Sequence, residues 1–314
     1  MKHLKLFENF DDIEFEIRSI CREYGIFNYS INSDGTVDVN GDVDISGGGI
    51  EKIPLKFGKV TGDFLCQSNK LTTLEGSPKE VGGDFNCSYN RLTNLFESPD
   101  KVVGNFRCNK NKITSLLDCP SEVGGDFKCE DNLLESLEGS PKEVIGSFGC
   151  SNNRLKTLES GPTRVNGNFS CSSNQLATLN GSPIFVGGYF TCYDNKLLTS
   201  LKGSPSYVGG QFECTYCKLI TLEGGPEEVG GDYNCRGNEL ITLEGVPFNF
   251  NRNFDCYDNP IYRIYVIFPS YKSFMSSLDY NYIRGTNIDK RRFQEALDEI
   301  NVKAPDKILG YKYI

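Results

Sequence analysis

A cysteine returns at 66, 87, 108, 129, 150, 171, 192, 214, 235 and 256, with a step of 21 residues everywhere except the 22 between Cys192 and Cys214. Two positions before each stands an aromatic: Phe64, Phe85, Phe106, Phe127, Phe148, Phe169, Phe190, Phe212, Tyr233 and Phe254. Three positions after stands an asparagine, from Asn69 and Asn90 to Asn238 and Asn259, with Cys217 as the one exception. Leucines such as Leu92 and Leu95 follow, and a proline such as Pro78 or Pro99 precedes the next copy. A fixed period in the twenties is the mark of a solenoid, in which each repeat buries its apolar face only against its neighbours. It overrides the two-domain expectation that 314 residues would otherwise raise.

Within a repeat, alternation predicts a very short strand. Phe85 and Cys87 point inward and Asp84, Asn86 and Ser88 point outward, with Val81, Leu92 and Leu95 completing the inward set. A degenerate first copy, with Val43 and Ile45 in the aromatic and cysteine places, brings the expected number of rungs to eleven. The repeated asparagine carries donor and acceptor together, suited to backbone groups that leave the ladder where the chain turns. The cysteines are expected to be small buried hydrophobes, because an in-register column does not present the facing geometry of a disulfide.

The ends break the period. Residues 9–25 predict a helix capped by Asn9 and ended by Gly25, with Phe10, Ile13, Ile17, Ile20, Cys21 and Tyr24 on one face. A hairpin turning at Asp34-Gly35 follows. Helices are expected over 270–282 and 288–300, the latter with Phe293, Ala296, Leu297 and Ile300 as its stripe. The organisation read from the chain is an N-terminal cap over 1–36, a solenoid over 37–264 and a helical C-terminal cap over 265–314.

Chemistry finds little support. The single histidine, His3, removes His-dependent triads and His-based zinc motifs. No phosphate-binding loop is present, and the Gly-Gly pairs recur ahead of strands, not ahead of helices. Asp42, Asp63, Asp84, Asp126 and Asp232 share an outward column, interrupted by other residues and read as a solvated face. Cys214-Thr-Tyr-Cys217 has the spacing of a redox pair or half a zinc site, but Cys214 is the ladder cysteine and Cys217 replaces the ladder asparagine just after the one-residue insertion. The expectation is no enzyme, no metal and no cofactor. An enzyme or metal/redox protein using this pair is the minor alternative.

Net charge −9 argues against nucleic acid and anionic membranes. No apolar run approaches the length of a span, and the first residues lack a signal-peptide pattern, so a cytoplasmic protein is expected. On the strand face, outward residues become aromatic and mixed from Cys192 onward: Tyr189, Thr191, Tyr193, Asp194, Glu213, Thr215, Tyr216, Arg236, Tyr257 and Asp258. Tyrosine and arginine are enriched among binding hot spots, so these ten residues are the candidate protein-binding site, suited to a partner with a basic patch.

The frame Phe85-x-Cys87-x-x-Asn90-x-Leu92-x-x-Leu95 resembles the leucine-rich repeat, in its short bacterial form. The fuller Leu-Glu-Gly-Ser-Pro-x-x-Val-Gly-Gly-x-Phe-x-Cys is similar to repeat proteins encoded by large tailed phages. The resemblance implies a leucine-rich-repeat-like solenoid, a parallel short-strand sheet with helical N- and C-terminal caps, that binds another protein. For a phage protein it implies a factor acting on a host protein in the host cytoplasm, with a virion structural or assembly component as the alternative. Some short-repeat bacterial relatives carry a C-terminal ubiquitin-ligase domain with a catalytic cysteine. This chain departs from them, because no cysteine follows Asn259.

Overall fold

The computed structural model describes residues 10–247, 252–280 and 282–314, with side chains from residue 13 onward in the first helix. The chain forms two compact units, Met1–Ser170 and Cys171–Ile314.

In the first unit, the two-residue strands Val43–Asp44, Phe64–Leu65, Phe85–Asn86, Phe106–Arg107, Phe127–Lys128, Phe148–Gly149 and Phe169–Ser170 pair in parallel, each with its copy one repeat on. In the second unit, Phe190–Thr191, Phe212–Glu213, Tyr233–Asn234 and Phe254–Asp255 do the same. The pairing puts like residues side by side. Phe127 and Phe148 stack at 5.3 Å and Phe148 and Phe169 at 5.6 Å, with planes within 13° and 10°. All ten repeat cysteines are buried, as are the paired leucines beneath them.

From Phe57 to Val229 the rungs also hold a second short strand that alternation did not predict. Phe57–Val60, Glu80–Val81, Lys101–Val102 and Glu122–Val123 form a parallel ladder in the first unit, and Phe185–Val186, Tyr207–Val208 and Glu228–Val229 form one in the second. Its inward residue is the valine. In the first unit the neighbouring residues pair by charge, Lys59 with Glu80 at 2.8 Å and Lys101 with Glu122 at 2.6 Å, whereas in the second Phe185 and Tyr207 stack at 5.1 Å. The close approach of rungs requires glycine between the two strands. A Cβ on Gly104 would lie 2.7 Å from the Gly83 carbonyl oxygen.

The asparagine column holds the rungs together. Asn153 Nδ2 donates to the Cys150 carbonyl at 3.1 Å and to the Cys129 carbonyl of the preceding rung at 3.1 Å, while its Oδ1 accepts from Leu134 N at 3.0 Å. Asn238 repeats the arrangement with Cys235, Cys214 and Leu219. The residue just before each asparagine turns the chain through the left-handed region, as Tyr89 at φ 55° and Asn152 at 56°, and Tyr216 does the same before Cys217 at 54°.

At the start, α1 (Phe10–Glu23) buries Ile17 and Cys21 and ends at Gly25, φ 64°. The Asn9 cap expected from the sequence lies outside the described residues. The hairpin pairs Tyr29–Ile31 with Val37–Val39 in antiparallel fashion, and Asp34 Oδ1 accepts from Thr36 N to close its turn. Val37–Val39 then pairs in parallel with Phe57–Val60, so the hairpin joins the second ladder.

At the other end, α2 (Tyr262–Tyr265) and α3 (Tyr271–Ser277) place Tyr271 and Tyr265 against Phe254, with ring centroids at 4.9 and 6.0 Å. The helix expected over 270–282 stops at Ser277, and a 3-10 turn takes Leu278–Tyr280. That expected over 288–300 is α4 (Lys290–Asp298), capped by Asp289. Ile288 belongs instead to a strand, Asn287–Ile288, that pairs with Ile283–Arg284 and Lys312–Tyr313. Tyr271 Oη donates to the Pro247 carbonyl and Tyr311 Oη to the Ile241 carbonyl, which ties the closing layer to the last repeats.

Candidate protein-interaction face

The second unit's outward strand face is built on a backbone with little freedom. Thr191, Glu213, Asn234 and Asp255 fall in one row, because Thr191 pairs with Glu213, Glu213 with Asn234 and Asn234 with Asp255. Beside it, just after each cysteine, runs a second row of Tyr193, Thr215, Arg236 and Tyr257, and beyond that Asp194, Tyr216, Gly237 and Asp258.

Four tyrosines stand out from this face: Tyr189 is 56 % exposed, Tyr193 41 %, Tyr216 45 % and Tyr257 48 %. They are seated. The Tyr216 ring lies against Gly237 of the next rung, where a Cβ would meet its Cδ1 at 2.5 Å, and Tyr189 lies on Gly210 in the same way at 2.6 Å. The Arg236 guanidinium sits 4.8 Å above the Tyr257 ring, which packs edge-on to Tyr262 at 5.2 Å. Lys196 bonds Asp194 at 2.6 Å and the Tyr216 carbonyl at 3.1 Å. Rings fixed in this way lose little further rotamer freedom when a partner covers them.

Nine of the ten residues expected to line the site keep surface in the folded unit. Thr215 does not. It is buried, and its hydroxyl donates to Glu213 Oε1 at 3.2 Å, so it supports that carboxylate and offers a partner no surface. The strands are only two residues long and end before the cysteine, so strict alternation no longer governs the next position. Small side chains there tuck in (Ser88, Ser151, Ser172, Thr215), while Tyr193, Arg236 and Tyr257 stand out.

The aspartate column proves to be more than a solvated face. Asp42 Oδ1 accepts from Asp63 N at 2.8 Å, Asp63 from Asp84 N at 2.7 Å and Asp84 from Asn105 N at 2.8 Å. Asn105 Oδ1 passes the pattern to Asp126 N, and Asp126 to Ser147 N. Each short side chain is the acceptor for the N–H one repeat later, which is why Asp, Asn and Ser alternate there without loss.

Cys214 and Cys217 are both buried, and their thiols donate to carbonyls, Cys214 to Asn234 and Cys217 to Cys192 and Thr215. Burial pushes the Cys217 thiol up to about 11 and the Cys214 thiol well above its usual range, so both are protonated near neutrality, which is poor chemistry for a nucleophile or metal ligand. The insertion explains the exchange of asparagine for cysteine. Elsewhere the N–H two residues beyond the asparagine needs an acceptor from the next rung, as Leu92 N takes Asn111 Oδ1. In the 22-residue rung the extra residue lets Leu198 N bond the Asn195 carbonyl at 3.0 Å, so position 217 has no such N–H to accept.

Parallel pairing at one repeat per rung, with aromatic, cysteine, asparagine and leucine columns inside, defines a leucine-rich-repeat-like solenoid with an N-terminal helix and C-terminal helices. No family model and no curated protein matches the chain. Among solved structures it is similar to YopM from Yersinia enterocolitica WA-314, at 15 % identity and a TM-score of 0.36, over 69 % of this chain and 64 % of that one. The fold assignment rests on the period and the register.

Proposed function

We propose that the chain is a protein-binding solenoid without catalytic activity, and that the partner docks on the strand face of the Cys192, Cys214, Cys235 and Cys256 rungs. The observation that carries this is the set of half-exposed tyrosines seated on a rigid ladder, with Arg236 among them. Large rigid rings with an available hydroxyl supply contact area at little entropic cost, the character of hot-spot residues. The nine surface residues remain the docking site, Thr215 serving as support for Glu213. The similarity of the repeat to phage-encoded proteins supports a host protein as partner and the host cytoplasm as the place of action.

Photo-crosslinking residues placed at 193 and 216, and at the equivalent first-unit position 109, test the reading in host lysate. Capture of one and the same protein from 193 and 216, absent from 109, is the expected result. No capture from 193 and 216, or equal capture from 109, would move the binding site elsewhere. Co-purification with phage particles in place of a host protein would favour a virion component.

A further inference from the structure

We propose that the first unit carries a hinge between its Cys129 and Cys150 rungs, where Glu122 and Glu143 part the second ladder while the first ladder stays paired. The hinge uses none of the docking residues and stands whether or not that face binds a protein.

The outward residues of the second ladder run Lys59, Glu80, Lys101, Glu122, Glu143, Arg164. Lys59 pairs in register with Glu80, Glu80 with Lys101, Lys101 with Glu122 and Glu143 with Arg164, so each of these steps joins opposite charges. From Glu122 to Glu143 the sign repeats. There the ladder stops: Glu122–Val123 ends one sheet and Glu143–Val144 begins another. Like charges directly opposite each other oppose strand pairing.

The backbone records the break. Val103 N donates to the Val81 carbonyl and Asn166 N to the Val144 carbonyl, both at 3.0 Å, but Ile145 N makes no such bond to Val123 among the described residues. Gly146 N reaches the Gly125 carbonyl at 3.2 Å, where Gly125 and Gly167 make the same bond at 2.9 Å. Val123 is 7 % exposed, against 1 % for Val102 and Val144. The side chain of Ile145 is not the cause, since Val103 is also β-branched and keeps its bond. On the outer turn the same step is spanned by the Cys119 thiol, which donates to the Gly139 carbonyl at 3.2 Å where Ser98 uses a hydroxyl at 2.7 Å. A thiol is the weaker donor. The first ladder is intact across this step: Phe127 pairs with Phe148, Cys129 N bonds the Gly149 carbonyl at 2.8 Å and Asn153 bonds the Cys129 carbonyl. The two rungs are therefore fastened along one side and loose along the other, which is the construction of a hinge.

Amide hydrogen exchange of the full chain, followed residue by residue by NMR, tests this. Ile145 and Val103 both follow a valine, so their intrinsic rates are close and the comparison reads structure. The Ile145 amide should exchange at least about tenfold faster than that of Val103, while the Cys129 amide stays protected. E143Q removes the like charge and should slow Ile145 by up to about fivefold. Added salt should slow Ile145 in the natural chain by screening the two carboxylates, and should have no such effect in E143Q. K101E sets like charges against Glu80 and Glu122 and should speed exchange at Val103 and Gly124, creating a break where none exists. Protection of Ile145 equal to that of Val103, or exchange of Cys129 in step with Ile145, would overturn the hinge. Unchanged exchange in both E143Q and K101E would overturn the role of the two glutamates.

Discussion

The side-chain amide of Asn90 donates to the carbonyl of Cys66, 24 residues earlier, at 3.0 Å, while also bonding the Cys87 carbonyl of its own rung at 3.1 Å. One side chain thus spans the step between rungs, and the same link recurs at Asn111 and Asn132.

Replacing Asn153 by alanine should lower stability by about 2–3 kcal/mol, because it orphans Leu134 N and two buried carbonyls. Asn153→Asp should be worse near neutrality, since a carboxylate has no N–H for the carbonyls of Cys150 and Cys129. The urea midpoints of the two variants check the order, and equal midpoints would argue against the donor role.

Phe148 is fully buried between Phe127 and Phe169. Phe148→Ala should cost about 3–5 kcal/mol through lost transfer and the cavity left behind. A loss under about 1 kcal/mol in chemical denaturation would mean that the rungs close over the gap.

Two glycines separate packing from conformation. Gly104→Ala drives a Cβ onto the Gly83 carbonyl and should cost about 1–3 kcal/mol. Gly48→Ala meets only Ile50 and Asn69 at ordinary contact distances, 3.7 and 3.9 Å, and should be neutral or stabilising by up to about 1 kcal/mol. Thermal melts of the two variants compare them directly.

The thiol ladder makes the fold sensitive to alkali. Burial raises the thiols of Cys66, Cys87, Cys108, Cys129, Cys171, Cys192, Cys214, Cys235 and Cys256, the last to about 12. An unfolded thiol ionises near pH 8.5, so above that pH the unfolded chain binds fewer protons than the folded one. The stability is complete below about pH 8.5 and is lost as pH rises toward the folded values. Each thiol removes about 1.4 kcal/mol per pH unit in that window, so the ladder acts steeply. The urea midpoint, measured with reductant present, should hold from pH 6.5 to 8 and collapse before pH 10. A flat midpoint across that range would contradict the burial.

Modification of the thiols without denaturant should be slow throughout. Cys119 should lead, since it is the one free cysteine that is not fully buried, though its thiol is pushed up to about 12. Rapid labelling of Cys87 or Cys150 would show that the ladder opens.

The inward columns were legible because one residue type recurs at one position: Phe148, Cys150, Asn153 and Leu155 are all buried where the period puts them. The second strand escaped because Glu80–Val81 is two residues long, too short for any alternation to register. The aspartate column was visible as a column, but its use was not, since its donors lie 21 residues away. Thr215 was misplaced by extending alternation past the end of a two-residue strand. Tyr216 was legible as a tyrosine, while its seat depended on Gly237, a residue with no side chain of its own to notice.

The asparagine link also constrains how such a chain can change length. Because Asn111 serves the Leu92 N–H of the rung before it, no rung owns all of its own partners. A block of 21 residues can be removed or copied starting from any phase, for the cut restores an identical donor opposite an identical acceptor. A single inserted residue is different: near Leu198 it is matched by a changed residue at 217, in the following rung. Lengthening one rung thus reaches into the next, and variants that alter loop length here should be sought as pairs of changes one repeat apart.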